Sequence, residues 1–254
     1  MDKWLMDLKN KEPNSWFEEW FDTKYYHLLY QHRDDNEARL FIDALFQYLK
    51  PSQSAHVLDL ACGRGRHARY LHTKGVEVTG LDLAETNIEY AAQFSSSKLH
   101  FKVADMRTNY GEAKFDVILN LFTSFGYFEN WEDNLLALQQ VRKALKPGGY
   151  FLIDFLNVDL VKRKLNPTEV RNIEGYQFNI NRSMNEAKIL KTIDLVEPDG
   201  KEHHFKEEIW ALSLADFQQM FKDCNLEILE LFGSYNLAKF DPQQSERLIM
   251  LARA

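Results

Sequence analysis

Residues 57–65 read Val-Leu-Asp-Leu-Ala-Cys-Gly-Arg-Gly. This stretch constrains the fold more than any other. An apolar run closes on an acid, turns through two glycines and enters a segment of helical pattern. Glycine has no Cβ and tolerates positive φ, so a ligand can approach such a backbone closely. Unpaired N–H groups at the start of the next helix add a weakly positive rim. Ala61 sits inside the turn, and a residue with a Cβ argues against a strongly left-handed backbone there.

The rest of the chain repeats the strand-then-helix alternation. Short apolar strands are expected at 56–60, 76–81, 99–103, 115–121 and 150–155. Helices are expected at 66–74, closed by Gly75, at 85–94, and at 131–145, broken by Lys146-Pro147-Gly148-Gly149. Residues 115–121 form a largely apolar run, as a strand buried on both faces requires. This alternation predicts a parallel sheet covered on both sides by helices. Right-handed crossovers then bring Asp59, Asp82, Asp105 and Asn120 to one sheet edge, where such folds bind ligands.

Outside that core the pattern changes. Residues 16–31 carry an aromatic stripe at helical spacing, and a second helix covers about 36–49. Segments 176–182, 189–196 and 202–211 have β character, with Glu197-Pro198-Asp199-Gly200-Lys201 as a turn between the last two. They predict a small antiparallel insertion. Ser213 then caps a helix running to about Lys222. Strands at 226–231 and 248–252 close the sheet.

Composition bounds the function. The 254 residues are 45% hydrophobic and 27% charged, which suits one large α/β domain with an insertion. A net charge of −7 weighs against global attraction to nucleic acid or an anionic membrane. Two distant cysteines, Cys62 and Cys224, make neither a disulfide framework nor a cysteine metal site. Residues 1–15 lack the pattern of a signal peptide, and no apolar run reaches spanning length. The expectation is a cytoplasmic protein.

The 59–65 turn resembles the first motif of class I S-adenosylmethionine-dependent methyltransferases, with Ala61 where the first glycine is usual. Gly65-Arg66-His67 is similar to a subgroup with Cys-Gly-x-Gly-Arg-His. The resemblance covers most of 56–155, with support from the closing strands. It implies a Rossmann-like α/β fold with a seven-stranded, mostly parallel sheet, and S-adenosylmethionine as cofactor. By this resemblance Asp59 and the turn through Ala61 and Gly63 hold the methionine half and the ribose side. Asp82 accepts from the ribose hydroxyls, and Asp105 accepts from the adenine amino group. Leu83 and Met106 sandwich the ring, and Asn120 and Leu121 line the methionine and substrate side. Arg66 either meets the cofactor carboxylate or faces solvent. Asp82 and Asp105 are also plain helix-cap candidates.

An N-terminal lid is implied as well, with Tyr25 and Tyr30 as cofactor or substrate contacts and Arg33 as a carboxylate partner. Ser124, Phe125, Tyr127 and Phe128 follow the fourth strand and are candidates for the acceptor wall, where aromatic faces suit an amine-derived cation. Asn157 is a candidate polar contact, with Asp154, His203 and His204 behind it. The Asn/Asp-Pro-Pro-Tyr/Phe signature of DNA-base methyltransferases is absent.

These observations predict methyl transfer to N or O of a small molecule by a monomer or homodimer. The expected organisation is a lid over 1–50, a methyltransferase domain over 51–160 and 212–254, and an insertion over 161–211. Two other readings stay open. Gly63-Arg64-Gly65-Arg66-His67-Ala68, with Asp82 about 20 residues on, also fits a dinucleotide fingerprint and an NAD(P)- or flavin-dependent oxidoreductase. A non-catalytic protein that binds S-adenosylmethionine is the other.

Overall fold

The computed structural model describes residues 16–31 and 35–254. Two helices open it, α1 (Trp16–Phe21) and α2 (Lys24–Leu29), followed by α3 (Asp35–Leu49). The core alternates β1 (His56–Leu60), α4 (Arg66–Thr73), β2 (Glu77–Asp82), α5 (Glu85–Ala92), β3 (Leu99–Val103), β4 (Phe115–Asn120), α6 (Trp131–Ala144) and β5 (Leu145–Leu156). Helix α7 (Val158–Lys164) leads to β6 (Thr168–Ile173), β7 (Tyr176–Met184), β8 (Lys188–Val196) and β9 (Glu202–Trp210). Helix α8 (Leu214–Asp223), β10 (Glu227–Phe232) and β11 (Arg247–Arg253) complete the chain.

Seven strands form one sheet in the order β10-β11-β5-β4-β1-β2-β3. The pairs from β5 through β3 are parallel, whereas β11 runs antiparallel to both β5 and β10. The period of two along each strand sorts side chains to opposite faces. Leu58, Ile118, Phe151 and Ile153 meet Leu138 of α6 and Phe217 of α8 on one side. Val57, Leu119 and Leu152 meet Phe41 of α3 and Leu71 of α4 on the other. Burying each large apolar side chain contributes about 1.5–3 kcal/mol, so this double layer is the main source of stability.

The insertion is a separate antiparallel sheet, β6-β7-β8-β9. Its apolar face carries Phe178, Ile180, Ile193 and Leu195, which pack against Trp20, Tyr25 and Leu29 of the first two helices. The outward face holds Gln177, Asn181, Thr192 and His204, all exposed. The N-terminal helices thus have their core partner in the insertion.

Several expectations are corrected. The stripe over 16–31 is two helices, because Thr23 caps α2: its hydroxyl accepts from Tyr26 N at 3.1 Å and donates to Trp20 O at 2.9 Å. Strand β5 begins at Leu145, ahead of the Pro-Gly-Gly turn, with a register shift against β4. Helix α7 and strand β6 had no clear pattern. Asn157 caps α7 and donates to Pro242 O at 3.0 Å and Ser245 O at 2.8 Å, so its side chain is spent on structure. Ala61 does adopt a left-handed backbone, with φ of 59°. The turn imposes it: Cys62 N donates to Leu81 O at 2.9 Å, and Asn120 Nδ2 donates to Leu60 O at 2.9 Å. A Cβ in that region costs roughly 1–2 kcal/mol, which alanine tolerates best among residues that carry one. Gly65, at φ 76°, has no such freedom, since a Cβ there would lie 2.7 Å from the Phe101 ring.

Candidate functional site

A cavity of about 380 Å³ opens at the carboxyl ends of β1, β2 and β4, roofed by α1 and α2. Its size falls within the range of small-molecule sites. The turn after β1 forms its floor. Asp59 is 1% exposed and accepts from Ala68 N at 3.0 Å. Burial pushes its carboxyl up to about 7, against the pull of the Ala68 N–H; nearby Asp82 adds to the rise and Arg66 opposes it.

Asp82 ends β2 and ties two backbone segments together. Its Oδ2 accepts from Gly63 N at 2.7 Å and its Oδ1 from Ala84 N at 2.9 Å. Burial raises its pKa, and the two N–H groups and the Asn87 amide resist the rise. Helix α5 has no side-chain cap at Ala84, so Asp82 both initiates that helix and faces the cavity. Gly63, at φ 55°, presents bare backbone to the same wall.

Ala104, Asp105 and Met106 line the end beyond β3. Arg107 holds the Asp105 carboxylate, with Nε 3.1 Å from both oxygens and Nη2 2.6 Å from Oδ2. It also donates to Asp133 at 2.9 Å and lies 4.9 Å from the centre of the Phe128 ring. The pattern around Asp105 did not reveal this partner two residues on.

The segment after β4 makes the opposite wall. Phe122 and Thr123 both line the cavity, with φ of 78° and 68°. Consecutive left-handed residues without glycine are uncommon, and for a β-branched residue the conformation is strained. Asp154, 0% exposed at the end of β5, holds them. Its Oδ2 accepts from Phe122 N at 3.0 Å, and its backbone O from Thr123 N at 3.1 Å. Arg247 donates to Asp154 at 2.7 Å and to the Thr123 hydroxyl at 2.6 Å, and Tyr235 donates to Asp154 at 3.1 Å. Ser124 and Tyr127 line the same wall, with their hydroxyls on Leu121 O and Thr123 O.

Helices α1 and α2 supply Phe17, Phe21, Tyr26, His27 and Tyr30 to the roof. Rings meet across the gap: Phe21–Tyr127 centroids lie 5.2 Å apart and Tyr30–Phe122 6.0 Å, while Tyr26 and Tyr30 lie 4.9 Å apart within the roof. Glu207 of β9 anchors this roof by accepting from Trp20 Nε1 at 2.8 Å and Tyr30 OH at 3.0 Å, with Lys191 paired to it. Burial, then Glu207, push the Tyr30 hydroxyl well above its ordinary range.

The structure therefore brings Tyr30, Asp59, Ala61, Gly63, Arg66, Asp82, Leu83, Asp105, Met106, Leu121, Ser124, Tyr127 and Phe128 around one cavity. Arg33 lies outside the described residues. Seven other candidates are not on the cavity wall. Tyr25 points into the insertion, donating to Glu197 at 2.5 Å beside His203, because its stripe position faces the β-sheet. Asn120 is 1% exposed and spent on the Leu60 carbonyl. Phe125 is core, 6.0 Å from the Phe217 ring. Asn157 is the α7 cap described above. Asp154 is the buried anchor of the β4 loop rather than a ligand contact. His203 pairs with Glu197 and exposed His204 with Asp194.

Sequence reasoning missed Phe17, Phe21, His27, Asn87, Phe122 and Thr123. The stripe over 16–31 contained the first three, but periodicity alone does not say which side meets a cavity. Asn87 sits at the buried face of α5, where a polar residue at an apolar position was the available signal.

Residues 57–149 match the methyltransferase domain family. A putative methyltransferase of Bacillus subtilis, YqeM, is 26% identical over 79% of this chain and 85% of its own. A dTDP-3-amino-3,4,6-trideoxy-alpha-D-glucopyranose N,N-dimethyltransferase of Streptomyces venezuelae is 23% identical over 71% of this chain and 79% of its own. The fold is similar to that of an S-adenosylmethionine-dependent methyltransferase from Clostridium acetobutylicum. Their TM-score is 0.76 at 22% identity, covering 90% of this chain and 95% of that one.

Proposed function

We propose that this chain, an S-adenosylmethionine-dependent methyltransferase of the class I fold, methylates an amine nitrogen of a small molecule enclosed beneath α1 and α2. The observation that carries this reading is the aromatic enclosure formed by Phe21, Tyr26, Tyr30, Phe122 and Tyr127 opposite the glycine turn. Ring faces stabilise a cation by about 0.5–2 kcal/mol, and a methylated ammonium is cationic at the moment it forms. The similarity to an aminosugar N,N-dimethyltransferase supports a small hydroxylated amine as the class.

The cavity fits the cofactor through its acids and its bare backbone. Asp59 would take the methionine ammonium, Asp82 the ribose hydroxyls and Asp105 the adenine edge, with Leu83 and Met106 against the ring. The sulfonium supplies the activated methyl group. The protein's contribution is alignment, which the anchored β4 loop and the roof helices provide. An amine arriving neutral needs no general base.

Incubation with S-adenosylmethionine and a panel of small amines, aminosugars, phenols and carboxylates tests the acceptor by release of S-adenosylhomocysteine. Turnover with amines is the expected result. Turnover confined to phenols or carboxylates moves the acceptor to oxygen and overturns the amine reading.

Asp59 sets a pH dependence. In the free protein its carboxyl loses its proton only near about 7, because burial disfavours the charge. A bound ammonium favours the carboxylate, so binding must expel that proton below the free-state pKa. Affinity for S-adenosylhomocysteine therefore rises with pH between roughly 5.5 and 7.5, and up to one proton is released at the acid end. His27 and His67, held at about 4 and about 3 chiefly by burial, stay neutral throughout and do not contribute. Calorimetry in buffers of different ionisation enthalpy reads the proton count. Zero release at the acid end would remove Asp59 from the ammonium.

A further inference from the structure

Strand β6 is the outer edge of the insertion sheet, and among the described residues β7 is its only strand neighbour. The two are joined by the turn Glu174-Gly175, left-handed at both positions with φ of 51° and 83°. A hairpin of this kind makes its flanking residues, Ile173 and Tyr176, a hydrogen-bonded pair, and such pairs recur at every second position. Arg171 and Glu169 therefore turn their N–H and C=O groups toward β7. Pro167 O keeps the same phase, accepting from Arg182 N at 2.7 Å. Thr168, Val170 and Asn172 turn theirs outward. All three are exposed, and Val170, at 61%, is a large apolar side chain left in the open.

An open strand edge is a template for another strand, and the residues of β6 say which strand fits. Two antiparallel copies centred on Val170 set Val170 against Val170 of the second copy, Thr168 against Asn172, and Glu169 against Arg171 from both sides. The outward N–H and C=O groups then bond reciprocally. Glu169 and Arg171 fall at the positions between those bonds, where facing side chains come closest. Centring the pair on Glu169 or on Arg171 instead would put like charges opposite each other, which destabilises it. Centring on Thr168 or Asn172 removes the charge pairing altogether. Within one copy Arg171 donates to Glu169 through Nε, at 2.6 Å, and Arg182 holds the other carboxylate oxygen at 2.5 Å. Among the described residues the Nη groups of Arg171 make no ion pair, so they can reach the second copy.

The geometry points to β6 as a self-complementary docking strand that joins two copies of this chain into a homodimer with one continuous antiparallel sheet. A two-fold pairing occupies both open edges at once, so assembly stops at two. The joined sheet carries both roofs, because β7 and β8 hold Trp20, Tyr25 and Leu29 through Phe178, Ile180, Ile193 and Leu195. The contact lies apart from the cavity, whose wall contains no residue of β6. One pair of short strands buries little surface, so the dimer is expected to dissociate on dilution.

Sedimentation velocity of the full chain, from about 1 to about 200 μM, tests this. The wild type is expected to move from the monomer toward twice the monomer mass as concentration rises. Val170→Pro removes an outward N–H and leaves the β7 ladder whole, because that N–H does not face β7. It is expected to weaken association by about tenfold or more. Glu169→Arg and Arg171→Glu each place like charges across the two-fold and should be monomeric alone. Mixed, they regain opposite charges and should form a heterodimer. Circular dichroism and affinity for S-adenosylhomocysteine are expected to match the wild type in all three, which separates a lost interface from a folding defect. A wild type that stays monomeric throughout overturns the inference. So does a Val170→Pro protein that associates as tightly as the wild type, which would put the contact elsewhere. A mixture no more associated than its two components refutes the register, and the docking strand with it.

Discussion

Asp82→Ala is expected to weaken S-adenosylmethionine binding by two orders of magnitude or more while the protein stays folded. The carboxylate is a charge-assisted acceptor recessed from bulk water, and hydrogen bonds to a charged group contribute about 1.5–3 kcal/mol each. On the proposed placement, two ribose hydroxyls lost together give about 3–6 kcal/mol, or roughly a hundred- to ten-thousandfold in Kd. A second effect adds to this. Gly63 N and Ala84 N both lose their acceptor, so the bare backbone that meets the ligand loosens. Asp82→Asn separates the two effects. It keeps one carbonyl oxygen and the shape of the turn but removes the charge, and should lie between wild type and alanine. Calorimetric titration measures the affinities and circular dichroism reports the fold. Unchanged affinity in the alanine variant would place the ribose elsewhere.

Asp154→Ala is expected to destabilise the fold by about 3–5 kcal/mol, because removing one partner of a buried ion pair leaves the other uncompensated. The side chain of Arg247 is only 15% exposed, so water cannot replace the carboxylate. The loss reaches the cavity directly. Phe122 and Thr123 hold left-handed backbones through Asp154 and Arg247, and without that grip the strain relaxes by moving the loop. Urea unfolding gives the stability change. The double variant Asp154→Leu with Arg247→Met should cost clearly less than the sum of the single changes, since no lone charge remains. Additive losses would show that the two side chains act independently. Stability within about 0.5 kcal/mol of wild type in Asp154→Ala would remove the ion pair from any structural role.

Much of the parallel sheet was legible because its signals are local. A run such as Val117–Leu119 is apolar on both faces, and each following glycine or acid marks where the strand ends. Asp59, Asp82 and Asp105 came to one edge for the same reason: each stands at or just beyond the end of a parallel strand, and right-handed crossovers align those ends. Strand β6 was invisible because its residues, Thr168–Ile173, alternate at an exposed edge with little apolar content. Tyr25 and Tyr30 show the limit most clearly. They share one short segment and similar spacing, yet one faces the insertion and the other the cavity, and the choice depends on where Glu197 and Glu207 stand more than 170 residues away.

The chain alone determined that strands and helices alternate, that a glycine turn follows the first strand, and that three acids converge at one edge of the sheet. These follow from side-chain period, turn chemistry and handedness, which act over a few residues. Tertiary structure decided the rest. It made Ala61 left-handed against its preference, spent Asn120 and Asn157 on backbone carbonyls, fastened the β4 loop with a buried ion pair, and set His27 and Asn87 on the wall of the cavity. Each of these depends on which distant group stands opposite a side chain once the layers pack, and no short-range pattern in the sequence carries that information.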